Sequence, residues 1–359
     1  MAVPVAETAR AALLRAVARG RVPPPAPVVR APPAGSAPHP EAAAALAGLH
    51  VEELQLCSEA EAASIGGSNG GIHSSSSQAW VPLRLTKLPP AEVAQRPAAL
   101  PAVLLLHATG VDKDSLAAQQ AAFARRGYLA AALDCRQEAL AASYHGERAE
   151  QGPAARDGYQ QALVRAWRGS GERPFLLDNV WDILRTLDYL QARPDVDAAR
   201  IGMAGVSLGG MHTWLAAAAD ERVAVAAPMI GVQYFGWAVR ECRYQARVDS
   251  IPLVFQAAAA DLALQHSAAA AARQQPASGS CSGSGEVTPE VVTAVWNTLL
   301  PGMLESWDAP NSLPLLAPRP LLIANGELDP RCPMQGVELA LEPVRSAYAQ
   351  LGDQCSIVT

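Results

Sequence analysis

The chain has 359 residues, half of which are apolar, and it carries a formal net charge of -6 at pH 7. This length is sufficient for one large domain with a substantial hydrophobic core. The acidic balance excludes the basic patch that nucleic acid or an anionic membrane surface requires. No run of about 18 apolar residues predicts a transmembrane helix. We therefore expect neither a nucleic-acid partner nor membrane insertion.

The six cysteines show no CxxC pair and no other short regular spacing. That distribution argues against a disulfide framework and against a zinc site, and it favours a reducing compartment. We predict that the protein binds no metal ion and no cofactor, and that it is cytoplasmic.

The first 40 residues are predicted to form a separate N-terminal segment. Residues 5–19 give an arginine-bearing amphipathic helix, as in an organelle transit peptide, which makes the chloroplast the alternative location. The acidic Glu7 and the lack of serine argue against a transit peptide. The prolines of residues 20–40 favour an extended linker over a packed element. We therefore divide the chain into residues 1–40, the helix and linker, and residues 41–359, the main domain.

The main domain alternates strand and helix patterns. Residues 78–88 alternate apolar and polar side chains, which predicts an antiparallel edge strand. Short continuous apolar runs follow, separated by helical stretches, and this is typical of parallel strands covered on both faces. The predicted parallel strands are residues 101–106, 128–133, 200–206, 223–230 and 320–324, with a last strand at 354–359. The sequence thus predicts an α/β fold with a mostly parallel sheet flanked by helices.

Two helices are well defined by apolar spacing. Residues 180–190 form one apolar stripe, with Asp178 available as the N-cap. Pro343 suits the first turn of a last helix, which Gly352 ends.

Residues 233–316 interrupt the alternation. They contain Trp237, Trp296 and Trp307 and a low-complexity Gly/Ser-rich loop at residues 277–285. We interpret this insertion as a helical lid over the carboxyl edge of the sheet. Its tryptophans are explained equally well by core packing and by binding of an apolar group.

The pattern Gly-x-Ser-x-Gly occurs twice, around Ser68 and around Ser207. A nucleophile elbow needs a buried strand before the serine and a helix after it. Only Ser207 has both, because residues 201–206 give the strand and residues 208–219 the helix. We predict that Ser207 is a nucleophile and that Ser68 lies in a loop; the alternative for Ser207 is a helix-capping serine.

The other members of a serine-hydrolase site can be placed around this elbow. The amide of Leu208 lies at a helix N-terminus, where it can donate to an oxyanion, and a second amide is expected from Ala108 or Thr109 after the first parallel strand. Asp329 follows the strand at 320–324 and is the predicted triad acid, with Glu327 as the fallback. The alternative for Asp329 is a solvated turn residue.

The histidines do not complete the site. In the chain order Ser, acid, His the base comes last. None of the seven histidines follows Asp329; they are His39, His50, His73, His107, His145, His212 and His266. We expect His107 to shape the oxyanion loop and His212 to point into packing. Together with Tyr144 and His145, which we expect to be polar loop residues, His107 is assigned to the substrate-binding side of the site.

Six stretches resemble a plant and green-algal group of α/β-hydrolases, related to dienelactone hydrolases, acetyl esterases and the catalytic domain of prolyl oligopeptidases. They cover most of residues 80–350 and are residues 121–134, 144–149, 200–211, 228–232, 245–251 and 317–333. The resemblance implies an α/β-hydrolase fold with a lid, Ser207 as nucleophile and Asp329 as acid. Residues 137–143 are an insertion relative to that group.

The same resemblance bears on the missing base. Proteins of this group continue past the last strand into a Gly-His turn that carries the catalytic histidine. Residues 356–359 resemble that last strand, and the turn is not present. We expect the catalytic histidine to belong immediately after residue 359. We interpret its absence as a truncation of the sequence at this point, rather than as a loss of catalytic function.

These observations predict a serine hydrolase that cleaves a small-molecule ester or acyl substrate. The first alternative is a catalytically impaired relative that binds a ligand in the same cleft, because loss of a triad member lowers turnover by about 10⁴-fold or more. The second alternative is a serine peptidase of the prolyl oligopeptidase type. The chain contains no repeat array of the kind that forms the propeller of such peptidases, which favours the esterase.

Overall fold

A computed structural model describes residues 3–33, 36–60, 80–93, 99–135, 153–171, 173, 176–272, 286–351 and 357–358. Its described part contains one nine-stranded sheet in the order β1-β2-β3-β5-β4-β6-β7-β8-β9. The strands are β1 (Val29–Arg30), β2 (His50–Cys57), β3 (Trp80–Lys87), β4 (Leu100–Leu106), β5 (Leu129–Leu133), β6 (Val196–Val206), β7 (Val223–Met229), β8 (Leu321–Leu322) and β9 (Ile357–Val358).

The helices alternate with these strands. In chain order they are α1 (Val3–Ala18), α2 (Pro40–Ala45), α3 (Pro90–Val93), α4 (Ala117–Arg125), α5 (Pro153–Trp167), α6 (Leu177–Ala192), α7 (Leu208–Ala219), α8 (Phe235–Arg240), α9 (Gln245–Val248), α10 (Pro252–Ala272), α11 (Pro289–Leu299), α12 (Ala309–Ser312) and α13 (Met334–Ala349). Single turns of 3₁₀-helix lie at Lys113–Leu116 and Leu313–Leu316, and a π-helical turn at Met303–Trp307. No helix in the described ranges is long and apolar enough to cross a membrane.

The sheet is mostly parallel, as predicted. Strands β5, β4, β6, β7, β8 and β9 are parallel neighbours, whereas β1, β2 and β3 pair antiparallel with their neighbours. The last strand is confirmed by the pairing of Ile357 with Leu321. The predicted edge position of β3 is wrong, because β2 pairs with β3 along its whole length. The alternation of apolar and polar residues within a strand does not show whether another strand pairs with its outer side.

Side chains on the two faces of the sheet pack into different clusters. On β4, Leu104 and Leu106 belong to the main core, whereas Val103 and Leu105 pack with Leu116 in a smaller cluster on the other face. Helices thus cover both faces, which is why the buried strands read as continuous apolar runs.

The N-terminal segment is packed rather than free. Leu13 and Val17 of α1 are fully buried in the main core. The proline-rich segment is extended, as predicted, but its Val29–Arg30 stretch pairs with the outer side of β2. The expectation that this segment is only a linker is therefore wrong, because β2 offers unpaired backbone groups that β1 satisfies. The division of the chain at residue 40 stays a prediction.

Two helix boundaries differ from the predictions. Asp178 is not the N-cap of α6, since it lies inside the helix and pairs with the guanidinium of Arg21. Pro343 lies in the interior of α13, not in its first turn. The helix begins earlier because Val337 and Leu341 are buried on the same side as Val344.

The insertion at residues 233–316 is helical in its described part, from α8 to α12. Trp296 packs edge-on against Phe235 and Phe255, with ring centroids 5.3 Å and 5.4 Å apart. Trp296 and Trp307 are almost wholly buried in the main core. The tryptophans therefore hold the insertion to the body by packing. The low-complexity loop at 277–285 lies outside the described residues.

Candidate active site

Ser207 occupies the turn between β6 and α7. Its φ of 56° and ψ of -112° put a non-glycine residue in a sparsely populated backbone region. The backbone is held there by hydrogen bonds on both sides, from the Ser207 amide to the Met229 carbonyl at 2.9 Å and from the Met211 amide to the Ser207 carbonyl at 3.0 Å. The side chain is half-buried. This is the strand–turn–helix context that a nucleophile elbow requires; Ser68 lies outside the described residues.

Two glycines allow neighbouring chains to approach this turn closely. A Cβ on Gly209 would lie 2.7 Å from the carbonyl oxygen of His107, and a Cβ on Gly210 would lie 2.5 Å from that of Met229. Distances below 3 Å to a backbone atom are not tolerated, so only glycine fits at either position. The spacing of the motif therefore reflects the tight packing of α7 against the loops after β4 and β7.

The three predicted oxyanion donors lie on adjacent elements. Strands β4 and β6 are parallel neighbours, with Leu106 opposite Gly205, so the loop that carries Ala108 and Thr109 starts beside the elbow. Leu208 is the first residue of α7. The amides of Leu208, Ala108 and Thr109 donate to no group within the described ranges. Unused amides at a helix N-terminus and in an adjacent loop can stabilise a negative oxygen.

His107 is buried behind this loop. The amide of Cys135 donates to Nε2 of His107 at 3.0 Å, so Nε2 is the acceptor nitrogen of the ring. Nδ1 therefore carries the proton and donates to the carbonyl of Ala108, 2.8 Å away. In a trans peptide the next amide points opposite to this carbonyl, so His107 also sets the direction of the Thr109 amide.

A buried ion pair also holds the loop after β4 in place. Lys113 Nζ lies 3.0 Å from Asp134 Oδ2, and the Lys113 amide donates to Asp134 Oδ1 at 2.6 Å. Burial works against the charge of Lys113, but the attraction of Asp134 and Glu53 outweighs it and raises the pKa of the ammonium. The loop after β4 is thereby tied to the end of β5.

Asp329 lies in the loop after β8, at the same edge of the sheet. The loop is joined to β7, since the Ile230 amide donates to the Ala324 carbonyl at 2.6 Å. Asp329 is half-buried, and its Oδ1 accepts from the Arg331 amide at 2.8 Å. Its Oδ2 has no hydrogen-bond donor in the described part of the chain. Glu327, the fallback acid, is exposed on the tip of the turn.

The remaining histidines are placed as follows. His212 is fully buried, with Nε2 3.3 Å from Asn179 Nδ2 and Nδ1 3.8 Å from Cys135 Sγ. Its burial in α7 agrees with the predicted packing role. No histidine whose side chain the structure describes is hydrogen-bonded to Ser207. Tyr144 and His145 lie outside the described residues.

Comparison with known proteins identifies the family of this chain. A sequence profile of the dienelactone hydrolase family matches residues 90–278, which is more than half of the chain. The chain belongs to the dienelactone hydrolase family.

A curated relative and two solved structures are similar to this dienelactone hydrolase family member. A stretch of 46 residues is 48% identical to the candidate hydrolase YtaP of Bacillus subtilis (strain 168), and it covers 13% of this chain and 15% of YtaP. A candidate acetyl xylan esterase from Bacteroides fragilis NCTC 9343 aligns with a TM-score of 0.55 and 16% identity, over 98% of this chain and 73% of its own. A glucuronoyl esterase from Solibacter usitatus aligns with a TM-score of 0.52 and 15% identity, over 96% and 80% of the two chains. At these identities the two structures support the fold alone.

Two buried charged residues were not identified from the sequence. Asp308 is buried and accepts hydrogen bonds from the amides of Phe235, Gly236 and Ala309, so it caps both α8 and α12. The Asp-Ala-Pro order before α12 is an N-cap signal that could have identified it. Burial raises the pKa of Asp308 to about 6, although the three amides and Arg240 act in the opposite direction. The second residue is Arg247, which is buried beside Gln233.

One cluster in the described part of this family member has the residue types of a metal site. Ligand atoms of His39, Asp112 and Asp114 lie within 4.8 Å of one another. The carboxylate of Asp114 already binds the guanidinium of Arg84 and accepts from the His39 amide at 2.7 Å. The cluster therefore has little capacity left for a cation. That the protein needs no metal and no cofactor stays a prediction.

Proposed function

We propose that this member of the dienelactone hydrolase family is a serine hydrolase that cleaves small-molecule esters through Ser207. The observation that carries the proposal is the strained backbone of Ser207 between a buried strand and a helix, beside amides that donate to no group in the described ranges. Such strain persists only where the surrounding structure enforces it, and in this fold it exposes the nucleophile.

In the proposed mechanism, Oγ of Ser207 attacks the acyl carbon. The amides of Leu208 and of Ala108 or Thr109 hold the oxyanion, and each donor of this kind contributes about 3 kcal/mol of transition-state stabilisation. Asp329 orients the base and stabilises its imidazolium form. His107 supports the oxyanion loop from behind, and Tyr144 and His145 are assigned to the substrate side of the cleft.

The general base is a separate question. His107 and His212 are already engaged with other groups. We therefore do not assign either as the base. An imidazole molecule from solution can take this role if the cleft is otherwise assembled, because proton removal needs only a base of suitable pKa within hydrogen-bond reach.

The first test is labelling of the 359-residue chain with a fluorophosphonate probe in the presence and absence of imidazole. We expect labelling that imidazole accelerates and that Ser207→Ala abolishes. Hydrolysis of 4-nitrophenyl butyrate is measured in parallel, with the Ser207→Ala variant as the blank for hydrolysis by imidazole itself. Equal labelling and equal rates for both proteins would contradict a nucleophilic role for Ser207.

The second candidate is a ligand-binding relative without turnover, and the engagement of both described buried histidines favours it. The two candidates differ in the imidazole experiment. A ligand-binding protein shows no Ser207-dependent turnover at any imidazole concentration but still binds ester analogues. The serine peptidase alternative is tested with an amide of the same acyl group, which the proposed esterase cleaves far more slowly.

The proposal also includes the class of substrate and the location in the cell. The substrate is a small molecule, and the location is cytoplasmic with the chloroplast as alternative. A plant or green-algal origin rests on the sequence resemblance alone. Localisation of a fluorescent fusion, tagged at the end that leaves residues 1–40 free, distinguishes the two compartments.

A further inference from the structure

The N-terminal helix α1 lies between the insertion and the body of the domain. One face of α1 is apolar at helical spacing and at most 7% exposed; its residues are Ala9, Leu13, Ala16 and Val17. The helix packs against α6 and α7 of the body. It also packs against the last part of the insertion, Met303–Leu316, which we call the inner segment. The burial of α1 therefore depends on both parts at once.

One side chain of α1 is hydrogen-bonded to both parts. Nε of Arg10 donates to the carbonyl of Ala218 at the end of α7, at 3.0 Å, and Nη2 donates to the carbonyl of Leu315 in the inner segment, at 3.4 Å. Nη1 of Arg10 pairs with the carboxylate of Glu221. The planar guanidinium holds its donors in a fixed arrangement, so a single orientation of Arg10 serves both carbonyls. Arg10 therefore ties the inner segment to α7 only while α1 is in place.

The other end of α1 is anchored as well. Arg21, just after the helix, pairs with the carboxylate of Glu59 at 3.2 Å and with that of Asp178 at the start of α6. Nη1 of Arg173 donates to the carbonyl of Ala16 at 3.5 Å. Beyond Arg21 the chain is mostly exposed over residues 22–30. Helix α1 is thus a terminal element that is fixed at both ends and joined to the rest of the fold by an exposed stretch.

The inner segment is connected to the candidate active site through Asp308. This residue accepts from the amides of Phe235 and Gly236, at 3.2 Å and 2.7 Å, and so caps α8. Helix α8 begins shortly after β7, the strand whose Met229 carbonyl accepts from the Ser207 amide. A movement of the inner segment therefore also moves the cap of the helix that follows β7.

The elements around α1 differ in how readily they open. Terminal helices open at a lower free-energy cost than central strands, because they lose fewer long-range contacts. Strands β4 and β6 are central and have a neighbour on each side. When α1 leaves, the apolar side chains of Met303 and Trp307, which are fully buried in the same core cluster as Leu13, lose part of their cover. Release of α1 therefore destabilises the inner segment before it affects the sheet.

We propose that α1 is a strap that holds the inner segment, and through Asp308 the start of α8, against the body of the domain. Its release opens α1, the inner segment and α8 together while the sheet stays folded. The arginine-bearing helix is, in this proposal, a working part of the domain. The inference goes beyond the proposed hydrolysis and does not depend on turnover by Ser207.

The test is hydrogen–deuterium exchange of the 359-residue chain, resolved by peptide. In the wild-type chain we expect the amides of α1, the inner segment and α8 to share one opening free energy, lower than that of β4 and β6. We expect Leu13→Ala to speed exchange in all three elements by about 30-fold or more, since a buried leucine contact of this size is lost from the closed state. Unchanged exchange of the inner segment in Leu13→Ala would show that it opens without α1 and would overturn the proposal.

The matched control is Leu104→Ala, which removes a fully buried leucine from β4. Leu104 keeps its contacts when only the strap opens, so we expect faster exchange in β4 and β6 but unchanged exchange in α1, the inner segment and α8. Equal acceleration of the inner segment and the sheet in Leu104→Ala would mean that they unfold as one unit, which contradicts the strap.

Leu13→Ala opens a cavity in the core, so a second variant that leaves the core intact is measured as well. Arg10→Met removes the hydrogen bonds to Ala218 and Leu315, and we expect exchange of the inner segment to become about 10-fold faster. Its control is Arg15→Met, an exposed arginine of the same helix, which leaves exchange unchanged. Equal exchange in the two variants contradicts the role of Arg10.

The outcome is separable from that of the proposed function. The exchange experiment is repeated in the Ser207→Ala background, where we expect the same effects of Leu13→Ala and Arg10→Met. If Ser207-dependent turnover is absent but these effects are present, the hydrolase assignment fails and the strap stands. If turnover is present and the effects are absent, the strap is overturned and the hydrolase assignment stands.

Discussion

The backbone amide of Cys135 donates to Nε2 of His107, and this bond leaves Nδ1 to hold the carbonyl of Ala108 at 2.8 Å. Residues from the ends of two neighbouring strands, β4 and β5, are thereby joined behind the oxyanion loop. His107 is a positioning residue in this arrangement, because it acts on the Thr109 amide through the peptide that it holds.

Replacement of His107 by alanine is expected to lower kcat for 4-nitrophenyl butyrate by about 10- to 100-fold with little change in KM. The alanine releases the Ala108 carbonyl, so the Thr109 amide is no longer aimed at the oxyanion, which forms only in the transition state. Both constants are measured in the presence of imidazole.

The control for this prediction is His50→Ala, which removes a partly exposed histidine from β2. A change in KM alone for His107→Ala would point to ground-state binding and contradict the positioning role. Far-ultraviolet circular dichroism confirms that both variants are folded.

Gly209→Ala is expected to prevent stable folding or to lower the free energy of unfolding by more than about 2 kcal/mol. The new Cβ would lie 2.6 Å from the carbonyl carbon of Leu106 and 2.7 Å from the carbonyl oxygen of His107, and backbone atoms cannot move aside as a flexible side chain can. Urea unfolding measures the loss. Gly158→Ala is the matched control, because Gly158 lies in α5 with nothing within 4 Å of an added Cβ. Helix propensity predicts that this control gains about 0.5–1 kcal/mol.

Asp308 is expected to make stability depend on pH between about pH 4 and pH 6. Burial raises its pKa in the folded chain to about 6 from its usual value of 3.8, so the folded state holds a proton that the unfolded state releases. Stability therefore falls as pH rises through this window, by about 3 kcal/mol for a shift of about two pH units.

The measurement is Tm as a function of pH for the wild-type chain and for Asp308→Asn. The asparagine has nearly the same shape, and its one side-chain oxygen can still accept from the amides of Phe235 and Ala309, but it does not titrate. We expect its curve to lack the fall that Asp308 contributes. Parallel curves for the two proteins would contradict the assignment.

Arg319 fastens the end of α7 to the segment before β8. Its guanidinium donates to five backbone carbonyls, those of Ala217, Asp220, Val223, Leu315 and Leu316. Arg319→Met leaves these carbonyls without their donors, and we expect a loss of about 3 kcal/mol in urea unfolding. Arg345→Met, which removes an exposed arginine paired with Glu338, is the control and should leave stability nearly unchanged. Similar effects of the two substitutions would contradict this role.

The strand pattern and the elbow could be predicted because their signals are local. A run of apolar residues such as Leu100–Leu106 is apolar on both faces whatever lies beside it, and the order strand, Gly-x-Ser-x-Gly, helix is contained in about 20 consecutive residues. The predictions that failed depend on distant partners. Asp178 does not cap α6 but pairs with Arg21, which lies 157 positions away in the sequence. Strand β3 is not an edge strand because β2 pairs with it.

The amino-acid sequence by itself determined the mostly parallel sheet and the serine at its elbow, because periodicity and glycine spacing are read along the chain. Only the tertiary structure decided that Asp308 caps two helices, that His107 holds the oxyanion loop through Cys135, and that the buried guanidinium of Arg247 is hydrogen-bonded to Gln233. The physical reason is that burial and hydrogen-bond partners are set by packing between segments distant in sequence.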